Sequence, residues 1–155
     1  MSTNNEVIEV LNDLIQINND RVTGYDKATK ELSAADVDLK AIFSQMSAES
    51  RKYTTELAAE VGRLGGEPTT STTASGKIYR AWMDVKAVFT GKDRHAVLES
   101  CEFGEDAAQT AYNDALKSDA VMDTELRQLI TNQKSSLKTS HDTIKKYRDM
   151  HEVVK

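Results

Sequence analysis

Glu99, Glu102, Glu105 and Asp106 fall within two helical turns of the stretch LESCEFGEDAAQTAYNDAL, residues 98–116. Carboxylates at that spacing on the inner side of a helix bundle are what a pair of iron or manganese ions requires: one carboxylate from each of two helices and a Glu-x-x-His from each of the other two. The rest of that pattern is missing. Residues 49–52 read Glu-Ser-Arg-Lys and residues 133–136 read Gln-Lys-Ser-Ser, so neither has a histidine three places after an acid. Glu49, Glu102 and Glu105 are the remaining candidate metal ligands. No cofactor is the first expectation, with di-iron or manganese as the alternative. Glu99 and Asp106 are expected on the solvated outer flank.

The same carboxylates also belong to a wider pattern, visible once the helices that carry them are drawn. Apolar residues recur at steps of three and four, and helices are expected over about 4–32, 34–64, 77–90, 94–117 and 120–153. Thr3 with Glu6 resembles a capping box at the first helix, and Ser33 with Asp36 can cap the second. Short turns join the first helix to the second and the last two to each other, so each pair must fold back as a hairpin. The unpatterned EPTTSTTAS is a loop, and Ile78, Trp82, Val85 and Phe89 mark a short amphipathic helix within the long connection.

Each long apolar stripe is interrupted once: by Asn18 in the first, Glu49 and Ser50 in the second, Glu102 and Glu105 in the third, and Gln133 in the fourth. Counted back from the two turns at ~1.5 Å per residue, these interruptions stand at one height. A polar layer of Asn18, Glu49, Ser50, Glu102, Glu105 and Gln133 is therefore expected across the middle of the core. Such groups must be hydrogen-bonded to one another, to water or to a ligand. A bonded layer that fixes helix register is the plainer expectation and a metal the sharper one. Tyr25, Tyr53, Tyr112 and Tyr147, one per long helix, are expected as core rings with their hydroxyls at a partner.

At 155 residues, with 39% hydrophobic and 29% charged residues, one Pro and one Cys, the chain is expected to be one all-α domain, residues 1–155. A net charge of −5 gives no attraction for phosphate backbones or anionic lipid, so neither nucleic acid nor membrane is an expected partner. Cys101 has no disulfide partner, and the N-terminal MSTNNEVIEVLNDLIQINND lacks the basic start and apolar run of a signal peptide; a cytoplasmic location follows as the expectation. No Gly-rich phosphate loop, HExxH or nucleophile motif is present, so enzymatic activity is not the leading expectation.

LNDLIQINNDRVTGYDKA, ELAAEVGRLGGEPTTSTTASGKIYRAWMDVK and ESCEFGEDAAQTAYNDAL resemble the ferritin-like family of small bacterial proteins described as domains of unknown function. The resemblance spans about Glu6 to Arg148. Its most specific parts are Leu64-Gly65-Gly66-x-Pro68 followed by Trp82, and the pattern of Glu102, Gly104, Glu105 and Tyr112. It implies an antiparallel four-helix bundle with a long crossover between the second and third long helices, a bacterial source and pairing with another copy as a homodimer. It supplies no activity. The functional expectation is a non-enzymatic binding or stress-related protein; the alternatives are a metal carboxylate protein with oxidase or iron-handling activity, and a helical interaction scaffold.

Overall fold

The computed structural model describes residues 2–32, 36–69 and 94–154, which form four helices: α1 (Ser2–Glu31), α2 (Val37–Arg63), α3 (Arg94–Lys117) and α4 (Thr124–Val154). Ser33 and the short helix expected over 77–90, with Trp82, lie outside the described residues. No strand occurs among the described residues.

The inner seam of α1, carried one residue past its end, is Val7, Leu11, Leu14, Asn18, Arg21, Tyr25, Ala28 and Leu32, an unbroken alternation of four and three, with Ile15, Ile17 and Asp20 buried beside it. On α4 the same alternation joins Leu126, Ile130, Gln133, Leu137, Ser140 and Ile144. A repeat of 3.5 keeps one seam of a long helix facing its neighbours when the helices coil gently around each other. Helices of this length, ~45 Å for α1 at ~1.5 Å per residue, are stable because that seam is covered.

All four neighbouring pairs are antiparallel. Asn18 meets Ser50 and Asp26 meets Ser47 between α1 and α2; Asn18 meets Tyr112 and Arg21 meets Glu105 between α1 and α3. Glu56 meets Gln133 and Glu49 meets Ser140 between α2 and α4, and Tyr112 meets Gln133 between α3 and α4. Hence α2 and α3 run parallel on the bundle's diagonal. Glu67 and Thr69 are tied to Asn12 near the start of α1, whereas Val97 and Leu98 pack with Leu32 and Leu39 at the far end. The end of α2 and the start of α3 therefore lie at opposite ends of the bundle.

Local chemistry fixes the helix ends. Gly65 has φ 85°, and the amides of Gly66 and Gly65 donate to the carbonyls of Val61 (2.9 Å) and Gly62 (3.0 Å), a Schellman termination of α2. At α4 the Asp123 carboxylate accepts from the Leu126 amide at 2.8 Å. That cap places the start of α4 at Thr124 and leaves 118–123 as the turn, longer than the expected start at 120 allows.

The core has two apolar halves. One gathers Val7, Leu11, Leu14, Leu57, Val61, Leu126 and Ile130; the other gathers Tyr25, Leu39, Phe43, Leu98, Cys101 and Ile144. Between them all four helices present polar side chains.

Candidate functional site

At the waist between the two apolar halves, Arg21 is fully buried, one turn after Asn18 and one before Tyr25 on the inner seam of α1. Its Nε donates to Glu105 Oε1 at 2.5 Å and Nη2 to Glu105 Oε2 at 3.2 Å, a two-point grip on one carboxylate. Nη1 donates to Ser50 Oγ at 2.5 Å and reaches Glu49 Oε1 at 3.4 Å. The Tyr25 ring lies 5.4 Å from the guanidinium carbon and packs in turn on Phe43.

From Arg21 the hydrogen bonds continue in one direction across the bundle. Ser50 Oγ donates to Asn18 Oδ1 (2.9 Å); Asn18 Nδ2 donates to the Tyr112 hydroxyl (2.9 Å) and to the Leu14 carbonyl (2.9 Å). Tyr112 donates to Gln133 Oε1 at 2.6 Å, and Gln133 Nε2 to Glu56 Oε1 at 3.1 Å, where the chain reaches the half-buried edge of α2. Each hydroxyl in this path both accepts and donates, so every member has a partner and burial is tolerated. Beside it, Ser140 Oγ donates to Glu49 Oε1 at 2.9 Å. Glu49 lines a cleft of about 360 Å³ between α2 and α4, which Ser136, Thr139 and Thr143 also line.

The charges of the waist are set by burial and by each other. Burial opposes the Arg21 charge, but Glu105, Tyr25 and Glu49 together outweigh it, and the guanidinium is held protonated above its ordinary value. Burial pushes the Glu105 carboxyl up, and Arg21 pulls it back only in part. Burial also raises the Tyr112 hydroxyl, and, with help from the Glu105 charge, the Cys101 thiol. Cys101 therefore stays a buried thiol, unsuited to nucleophilic work.

Of the residues singled out by sequence, Asn18, Ser50, Glu105 and Gln133 are buried in this one network, and Glu49 joins it from the cleft side. Glu102 does not. It pairs with Arg148 toward the end of α4, because the turn runs on to Asp123 and places Tyr112, not Glu102, level with Gln133. The three carboxylates considered as metal ligands consequently do not converge: Glu105 grips Arg21, Glu49 accepts from Ser140 and Arg21, and Glu102 is bound to Arg148. A di-iron or manganese centre does not fit the waist. The point between the helices is filled by a fixed cation, and among the described residues no histidine stands with the donors there.

Sequence reasoning missed Arg21, Tyr112 as a relay, Ser140 and Glu56. The signal for Arg21 was present: a strict four-three alternation from Val7 to Leu32 passes through position 21, not through the apolar neighbour Val22, which is only half-buried. Of the four tyrosines, Tyr25, Tyr53 and Tyr112 are buried and Tyr147 is half-buried.

Residues 6–118 match the model of a family described as Domain of unknown function (DUF2383). No curated protein matches the sequence. Among solved structures, the chain is similar to a mutant of Mycobacterium smegmatis Dps1, with a TM-score of 0.76 and 12% identity over 95% of this chain and 97% of that one. At that identity the likeness is one of fold, that of a ferritin-like bundle.

Proposed function

We propose, from the premise that this chain belongs to the family described as Domain of unknown function (DUF2383), that it is a non-enzymatic, ferritin-like binding protein whose bundle is held at its waist by an internal cation in place of metal. The observation that carries this reading is the Arg21 guanidinium, fully buried and gripped at two points by Glu105. A guanidinium is permanently charged and has no acceptor, so it neutralises a buried carboxylate without metal and offers no redox or acid–base chemistry. Arg21 and the donor set around it support a waist without iron or manganese.

A binding role then falls to the outer faces. Phe103, 61% exposed on α3, is a large apolar side chain turned to solvent and supports pairing with a second copy as a homodimer. The single buried Cys101 suits a reducing, cytoplasmic setting. No described helix is long and apolar enough to cross a membrane.

Anaerobic loading with ferrous iron followed by oxygen tests the central claim. The expected outcome is at most one iron per chain and no absorption band of an oxygen-bridged ferric pair. Two irons per chain together with such a band would overturn the reading in favour of an oxidase or iron-handling protein.

A further inference from the structure

On the outer seam of α3 and α4, away from the waist, Glu102 and Asp106 lie one turn apart on α3 and His141 faces them from α4. Each can offer one ligand atom, and these atoms all lie within 4.8 Å of one another. His141 Nε2 is 2.5 Å from Asp106 Oδ1, while its Nδ1 is 3.1 Å from Asp142 Oδ1. Asp142 is itself held by Lys138 Nζ at 2.9 and 3.0 Å. Without an ion the 2.5 Å contact is that of an Nε2–H donating to Asp106; binding a cation replaces that proton, leaving Nδ1–H to donate to Asp142 and the Nε2 lone pair to face the ion. A carboxylate behind the far nitrogen is the outer support that orients metal-binding imidazoles.

We propose that Glu102, Asp106 and His141 bind one divalent first-row transition cation, with water completing its coordination. One imidazole nitrogen with two carboxylate oxygens is a donor set of borderline hardness, which favours zinc, manganese, iron or cobalt over calcium or magnesium. Bonds of ~2.0–2.2 Å place ligand atoms about 3 to 3.5 Å apart, so the three need only small side-chain rotations. The fixed members are Glu102 and His141, whose side chains are 13% and 14% exposed; Asp106, at 61%, stands on the solvent side where it can swing onto the ion. Arg148 already pairs with Glu102 and is the internal competitor for the site. The inference is independent of the waist, since none of its three ligands belongs to that network.

Cobalt(II) titrated into the full-length chain without an affinity tag, followed by visible absorption and calorimetry, tests this. One cobalt per chain is expected, displaced by zinc. Asp106→Asn and His141→Gln should each weaken binding more than ~10-fold, Asp142→Asn by ~10- to 100-fold. Arg148→Met should tighten it by releasing Glu102. Asp106 is exposed, so its variant keeps the test valid even if His141→Gln folds poorly. No saturable uptake, as expected if His141 is simply an imidazolium shared by Asp106 and Asp142, overturns the proposal. Uptake unchanged in Asp106→Asn does the same. A single cobalt that depends on Asp106 leaves the reading of the waist intact, whereas two irons and a ferric band would defeat that reading alone.

Discussion

A guanidinium enclosed on every side is tolerable only when its donors meet acceptors, and Arg21 meets that condition through Glu105, Ser50 and Glu49. The pair is costly to break from one side. Arg21→Met leaves the Glu105 carboxylate buried and uncompensated, and should lower unfolding stability by about 3 to 5 kcal/mol in urea titrations. Arg21→Met combined with Glu105→Leu removes both charges, and should restore stability to within about 1 kcal/mol of the native chain or above it. If the double variant is as unstable as the single one, the two residues do not act as a pair. Asn18, Ser50, Glu105 and Gln133 were legible as polar interruptions of apolar stripes. Arg21 was not, because a valine beside it satisfied the apolar pattern and masked the charged residue on the seam.

At the scale of elements, the glycines after α2 show how backbone geometry positions the site. Only at φ 85° can Gly65 close the helix and send the chain back along α1, where Gly66 comes so close to Ile8 that a Cβ would lie 2.8 Å from its side chain. Gly65→Ala meets open space but must adopt the left-handed conformation; the expected loss is about 1 to 2 kcal/mol, read from the urea midpoint. A neutral result would show that the termination of α2 does not rest on that conformation. Helix existence was readable from periodicity, and α3 has the range 94–117 in both accounts. Register was harder. The Asp123 cap starts α4 at Thr124 and sets Gln133 level with Tyr112, while Glu102, one turn before Glu105 on α3, pairs with Arg148.

For the molecule as a whole, two apolar halves joined through a bonded polar waist make a bundle whose helices cannot slide without breaking several hydrogen bonds at once. Its outer faces remain for association. Sedimentation velocity on the pure chain should give a dimer, weakened by Phe103→Ser; a strict monomer at micromolar concentration would remove the homodimer from the proposed function. The sequence alone determined the four long helices, the hairpins and the presence of polar residues midway along them, because periodicity and turn chemistry are local and each is written in a few consecutive residues. Which polar group meets which was decided only in three dimensions. Arg21 and Glu105 are 84 residues apart and Tyr112 and Asn18 are 94 apart, and their encounter depends on the antiparallel contact of α1 with α3, just as that of Tyr112 with Gln133 depends on the residue at which a cap lets α4 begin.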